Sequence, residues 1–195
     1  MPMKNIDLKC FPQDIVQHGV DFCIAASTEA VLAYHGYRLK NALQHYLFAA
    51  MCRQNEKLAP SIPSMISGIE WLRKRLEKPL DIPVVLGDPK THDDWKATVF
   101  AEIDEDRPII ITKNRPKGGA HVEVILGYDD EEEVFLMFNP GGSSIQKHRN
   151  VGWNHMTVEI RSEFYHYSYT EALDDIPNGS HLLIVGKPES KNSEE

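Results

Sequence analysis

Residues 22–32 read Phe22-Cys23-Ile24-Ala25-Ala26-Ser27-Thr28-Glu29-Ala30-Val31-Leu32, an apolar stretch with a cysteine near its head. Asp21 comes directly before it and is of a type that caps helix N-termini, because its carboxylate accepts hydrogen bonds from the first backbone N–H groups. Gly36 follows and is of the type that ends helices. The stretch therefore predicts a helix that runs toward Gly36 and carries Cys23 in its first turn.

The rest of the chain changes from helical to strand-like patterns. Apolar residues at helical spacing predict further helices over residues 40–52, 64–76 and 94–105, with a short strand at 84–86. Runs rich in β-branched and aromatic residues predict strands at 108–112, 121–128, 134–138, 156–160 and 182–185. This order predicts an α+β fold, with an N-terminal helical half packed on a C-terminal antiparallel sheet and a cleft between them.

The length of 195 residues favours a single domain that is large enough to bury a core. We expect the helical half to cover about residues 1–105 and the sheet half about residues 106–187. Residues 188–195 are polar and form the expected tail.

Charge and cysteine content narrow the classes of partner and location. A net charge of −8 without a basic stripe disfavours nucleic acid as a partner. The start of the chain lacks the apolar core of a signal peptide, and no apolar run is long enough for a membrane span. Three cysteines without metal-like pairing favour free thiols in a reducing compartment. We expect a cytoplasmic protein, or one exported without a cleavable signal peptide, with no membrane partner, metal or cofactor.

Two residues are candidates for nucleophilic chemistry. Cys23 is predicted in the first turn of a helix, where backbone N–H groups and the helix dipole favour a thiolate and lower the thiol pKa. His121 follows Gly118 and Gly119 and begins a predicted strand, which would hold its imidazole rigidly beside a cleft. A buried cysteine and a strand-end histidine are also common without any chemistry.

Two further polar residues fit around this pair. Asn139 ends a predicted strand before Pro140, where its amide oxygen could accept the His121 N–H, although the same residues also form a turn. Gln17 could donate its amide N–H to a developing oxyanion together with the Cys23 backbone N–H. Nucleophile, base, orienting residue and oxyanion donor are interlocking roles, which makes a chance combination less probable than each residue alone.

Other polar residues near these positions receive different interpretations. His18 and Trp153 are candidates for substrate contact, because His18 adjoins Gln17 and Trp153 lies in the segment after Asn139. Glu29 is expected to be solvated on another face of the first helix. Glu123 shares its strand face with His121 and could bind a substrate cation, but we expect it to face water.

Part of the chain resembles the papain-like cysteine peptidases. The resemblance is carried by Gln17, Cys23, Asn139 and the segment Ala120-His121-Val122-Glu123-Val124-Ile125-Leu126-Gly127-Tyr128. The similarity is strongest to the compact bacterial branch, which includes the double-glycine leader peptidases of bacteriocin exporters and the staphopain-like enzymes. It covers residues 17–36 and 108–142. The resemblance implies a cysteine nucleophile, a histidine base, an orienting residue and a glutamine oxyanion donor at the four positions. The papain signature C-G-S-C-W is absent, and Asn139-Pro140 stands where exporter peptidases usually have Asp-Pro.

Three functions are compatible with these residues. The first is hydrolysis of a peptide or related amide through an acyl-enzyme on Cys23, with a peptide or protein as substrate. The second is acyl transfer or transpeptidation from the same intermediate to an amine or thiol. The third is a papain-like binding module without turnover. The sequence leaves the oligomeric state open.

Overall fold

The computed structural model of the chain describes residues 3–19, 21–37, 43–54, 62–74, 84–114, 119–141, 162–176 and 182–186. Its helices are α1 (Cys23–Tyr34), α2 (Leu43–Gln54), α3 (Ile62–Arg73), α4 (His92–Asp104) and α5 (Tyr169–Asp174). Its strands are β1 (Lys4–Asn5), β2 (Val84–Gly87), β3 (Ile109–Asn114), β4 (Ala120–Asp129), β5 (Val134–Asn139), β6 (Glu163–Ser168) and β7 (Leu182–Val185).

All the described strand pairs are antiparallel and form one sheet in the order β2-β7-β3-β4-β5-β6. The short strand β1 pairs with the far end of β4, beyond the part that pairs with β3. An ideal Cβ on Gly127 would lie 2.7 Å from the Lys4 carbonyl oxygen, so glycine permits this close approach. Helices together with an antiparallel sheet confirm the predicted α+β fold class.

Helix α1 is buried on nearly every side. All of its residues except Glu29 and Tyr34 are buried, which explains why the sequence is apolar around the whole helix rather than along one stripe. Its end follows the prediction, because Gly36 adopts φ of +89° and the Tyr37 N–H donates to the Leu32 carbonyl. The other end differs from the prediction: Phe22, not Asp21, occupies the N-cap position and makes no side-chain cap.

Helix α1 packs on β4 through both apolar and polar contacts. The Ser27 hydroxyl donates to the Val122 carbonyl at 3.2 Å, and both residues are buried. Helix α4 also packs on β4, where the Phe100 and Tyr128 rings stack at 3.9 Å and the Tyr128 hydroxyl donates to Asp104. The central strand β4 is thus held in place by contacts with two helices, and it carries His121 near its start.

Several element boundaries differ from the sequence prediction. Helix α2 begins at Leu43 and α3 at Ile62, while α4 begins at His92 because Thr91 and Asp94 form a reciprocal capping box. Strands β1 and β6 and helix α5 were not predicted. The predicted strand at 156–160 and the tail at 188–195 lie outside the described residues. The part of the chain that the structure describes contains no helix that is long and apolar enough to cross a membrane.

Candidate active site

Cys23 is the first residue of α1 and is buried, with 7% of its surface exposed. The first N–H groups of any α-helix point away from the helix and have no carbonyl four residues earlier. The partial positive charge of this end favours an anion, and a Cys thiolate there is more stable than elsewhere. Ser27 lies one turn further along the helix, about 6 Å in axial rise, and bonds to Val122 on β4. This contact places the helix start beside the strand that carries His121.

His121 and Asn139 are in direct contact. The His121 Nε2 lies 2.8 Å from Asn139 Oδ1, and both side chains are buried. The Gly141 N–H also donates to Asn139 Oδ1 at 2.9 Å, which identifies this atom as the amide oxygen. An oxygen accepts only, so His121 must donate through Nε2. The neutral ring is therefore held in the tautomer that leaves Nδ1 as the proton acceptor.

Gln17 lies beside the turn that follows Asn139. Its backbone N–H donates to the Pro140 carbonyl at 2.9 Å, and its side chain is 1% exposed. The side-chain amide nitrogen donates to the Gly19 carbonyl at 2.7 Å. The loop before α1 is thus joined to the end of β5, next to the His121–Asn139 pair.

Gln44 on α2 holds the backbone on both sides of Gln17. Its Oε1 accepts the His18 N–H at 3.0 Å, and its Nε2 donates to the Val16 carbonyl at 2.8 Å. The same Nε2 donates to Glu29 Oε2 at 2.8 Å. Glu29 is therefore half-buried and hydrogen-bonded, which corrects the expectation that it is solvated. Nothing in the sequence pattern marks Gln44, because it lies on an ordinary helix and its role depends on tertiary contacts.

The two predicted substrate contacts have different outcomes. His18 is exposed beside Gln17, and its ring lies 5.5 Å from the ring of His45 on α2. The His45 ring in turn contacts Phe22, which stacks on Phe48 at 4.5 Å. A surface of aromatic and imidazole rings therefore adjoins the start of α1, and contact of His18 with substrate stays a prediction. Trp153 lies outside the described residues.

Glu123 does not face water as expected. It is 4% exposed, and its Oε2 accepts from the Tyr165 hydroxyl and from Lys113 Nζ, the latter at 3.3 Å. Its Oε1 lies 3.6 Å from His121 Nε2. Burial, followed by the charge and hydrogen bond of Glu123, raises the pKa of Tyr165, so this hydroxyl remains a donor. The sequence places Glu123 on the correct strand face, but its two donors come from other strands.

The remaining cysteines have different surroundings. Cys10 is exposed, and its thiol donates to Asp7 at 3.2 Å. Cys52 lies near the end of α2, where burial raises its thiol pKa. Among the residues that the structure describes, no three His, Cys, Asp or Glu side chains cluster as metal ligands would.

The structure thus brings three of the four predicted residues around one turn and places the fourth at an adjoining helix start. The sequence matches the model of the Peptidase_C39 like family over residues 5–171. No curated protein matches the sequence significantly. The matched segment runs from the second residue of β1 to the first half of α5 and includes all four candidate residues. The chain therefore belongs to the Peptidase_C39-like family, within the papain-like cysteine peptidase superfamily.

Proposed function

We propose that this protein hydrolyses a peptide or related amide bond through a covalent acyl-enzyme on Cys23. The observation that carries the proposal is the His121 Nε2–Asn139 Oδ1 hydrogen bond at 2.8 Å, which fixes the tautomer needed for a base at Nδ1. The position of Cys23 at the start of α1 and the family membership support the same chemistry.

In the first half of the reaction, His121 Nδ1 takes the proton of the Cys23 thiol. The resulting thiolate attacks the substrate carbonyl carbon and forms a tetrahedral intermediate. The Gln17 side-chain amide and the Cys23 backbone N–H donate to the negative oxygen. The intermediate collapses when the C–N bond breaks, and His121 gives its Nδ1 proton to the leaving amine. The products of this half are a free amine and a thioester on Cys23.

In the second half, neutral His121 accepts a proton from water at Nδ1 while the water oxygen attacks the thioester carbonyl. The C–S bond then breaks, which releases a carboxylic acid and restores the thiolate beside a protonated imidazole. Asn139 keeps its hydrogen bond to Nε2 throughout, so the ring does not have to reorient between the two proton transfers.

The proposal is tested by measuring which cysteine reacts with a thiol-directed reagent and whether that residue is required for turnover. Iodoacetamide at pH 6 should alkylate Cys23 faster than Cys10 or Cys52, as measured by peptide mapping at timed intervals. Cys52 serves as the internal reference, because its raised pKa leaves little thiolate at this pH. The variant Cys23→Ala should lose all turnover of a peptide library.

The outcomes separate the three candidate functions. Carboxylic acid products indicate hydrolysis, while products that have gained an added amine indicate acyl transfer from the same thioester. Equal alkylation of Cys23 and Cys52, together with no turnover by the unmodified protein, would contradict the proposal and favour a binding module. A Cys23→Ala variant with unchanged turnover would also contradict it.

A further inference from the structure

We propose that Glu123 is a positioning residue for His121, whose buried carboxylate stabilises the protonated imidazole that the reaction requires. The catalytic part of this inference rests on the proposed function. Glu123 lies on the same strand as His121 and touches neither the thiol nor the scissile bond in the mechanism above.

His121 Nε2 faces two side-chain oxygen atoms. Asn139 Oδ1 lies at 2.8 Å and accepts the hydrogen bond, while Glu123 Oε1 lies at 3.6 Å. The longer distance exceeds that of a hydrogen bond, so Glu123 acts on the ring through charge. The Nε2–H therefore faces one neutral oxygen and one carboxylate oxygen. A negative charge this close favours the imidazolium over the neutral ring.

Two donors hold the Glu123 carboxylate in place. Tyr165 and Lys113 both donate to Oε2, and Lys113 Nζ also donates to the Tyr165 hydroxyl at 2.9 Å. Lys113 lies 3.7 Å from the centre of the Tyr167 ring, which is a cation–π contact. Both donors use Oε2, which leaves Oε1 on the His121 side. The carboxylate is thus oriented by groups that the reaction itself does not use.

The charges around Glu123 determine which form of the His121 ring is favoured. Among the described residues that contact it, Lys113 comes from β3, His121 from β4 and Tyr165 from β6. Tyr165 stays neutral, because burial raises its pKa before the charge of Glu123 adds to the shift. The single carboxylate therefore lies between two cationic groups when His121 is protonated. Lys113 alone would disfavour the imidazolium, and Glu123 reverses that effect.

The test is a direct titration of His121 by nitrogen-15 NMR in a Cys23→Ala background, where no thiolate affects the ring. The chain has nine histidines, so a His121→Gln variant assigns the signal. Adding Glu123→Gln should lower the His121 pKa by about one unit, the low end of the effect of a nearby charge. Glu123→Asp, which keeps the charge, should recover at least half of that shift.

A matched control removes another carboxylate of the same sheet. Glu163 is half-buried on β6 and pairs with Asn139 across the sheet, and Glu163→Gln should move the His121 pKa by less than about 0.3 unit because solvent screens it. Glu123→Gln leaves Lys113 buried without its carboxylate and could unfold the protein. The double variant Lys113→Met/Glu123→Gln removes both charges, and it should still lower the His121 pKa, by a smaller amount.

One result would overturn the inference: a His121 pKa that stays within about 0.3 unit of its value in the Cys23→Ala protein in every folded variant without the Glu123 carboxylate. In the Cys23-containing enzyme, the alkaline limb of kcat/KM should move down by the same amount as the pKa, since it reports loss of the imidazolium. A shifted pKa in a protein without turnover would contradict the proposed function and leave the electrostatic role of Glu123 intact.

Discussion

The two sides of the candidate site are fixed by different kinds of structure. On the sheet side, His121 and Asn139 lie on the neighbouring strands β4 and β5. Val124 pairs with Phe138 between these strands, so the next pair of facing positions is Glu123 and Asn139. On the helix side, Cys23 begins α1 without a side-chain cap, and Gln17 lies in an irregular segment. Backbone hydrogen bonds between paired strands hold many residues in position at once. The irregular segment is held by only a few long-range hydrogen bonds.

This difference has a consequence for how each side responds to mutation. Backbone pairing on the sheet side is retained when one side chain is removed, so such a mutation should change the chemistry more than the geometry. The helix side relies on Gln44, whose amide bonds to the backbone on both sides of Gln17. Removing a supporting side chain there should change the geometry of the site without removing any reacting group.

After the loss of all turnover expected of Cys23→Ala, the largest effect is expected on the sheet side, from His121→Ala. We expect kcat/KM to fall by at least about 10³-fold, because the proton donor and acceptor of both half-reactions is lost. Alkylation of Cys23 at pH 6 should slow in the same variant, while alkylation of Cys10 should not change. A variant that retains more than a tenth of the wild-type kcat/KM would show that another group acts as the base.

The next largest effect is expected on the helix side, from Gln17→Ala. Loss of one oxyanion donor typically lowers kcat by about 10²–10³-fold, with a smaller change in KM. Gln13→Ala is the matched control, because Gln13 is exposed a few residues earlier in the same segment. A Gln17→Ala variant as active as Gln13→Ala would place the oxyanion elsewhere and remove Gln17 from the mechanism.

The sheet side was the easier of the two to predict from sequence. The hairpin of β4 and β5 follows from two strand-like runs on either side of an acidic turn, and the two-residue period places His121 and Glu123 on one face. The contact between His121 and Asn139 follows from that hairpin. Their catalytic assignment stays a prediction.

The burial of Glu123 could not be predicted, because its donors come from strands β3 and β6. The segment Glu163–Ser168 that forms β6 reads Glu-Phe-Tyr-His-Tyr-Ser, and its apolar and polar residues do not alternate as those of a half-buried strand do. Without β6, Tyr165 is not placed beside Glu123, and Lys113 lies one residue beyond the strand predicted at 108–112. Gln44 was missed for the same reason, since a contact over 26 residues has no local pattern.

A third prediction concerns the support of the Gln17 segment. Gln44→Glu keeps an acceptor for the His18 N–H but loses the donor to Val16 and places a carboxylate beside Glu29. We expect kcat to fall by about tenfold, because a displaced Gln17 weakens one oxyanion hydrogen bond by about 1 kcal/mol or more. The temperature of unfolding should also fall, since two like charges lie close together.

The matched partner for this variant is the double mutant Gln44→Glu/Glu29→Gln. It restores one donor–acceptor pair between the two side chains, and it should recover part of the lost activity and stability. Glu29→Gln alone should have a smaller effect than Gln44→Glu. Additive effects of the two single substitutions would show that the Glu29–Gln44 hydrogen bond does not support the site.

The smallest effect is expected from Cys52, which shares the helical half with Cys23 but lies near the end of α2, away from the helix start that favours a thiolate. Burial raises its thiol pKa, so folding disfavours ionisation at this position. Cys52 therefore contributes to the free energy of unfolding below the ordinary thiol pKa of about 8.5. This contribution is lost as the pH rises toward the raised pKa of the folded state.

Cys52→Ser removes this titration. The difference in urea midpoint between the wild-type protein and Cys52→Ser should narrow between pH 7 and pH 10, while activity at pH 7 stays within about twofold because the residue lies outside the mechanism. A constant difference across that range would show that Cys52 ionises as readily in the folded chain as in the unfolded one, and the contrast between the two cysteines would then not arise from their positions on the helices.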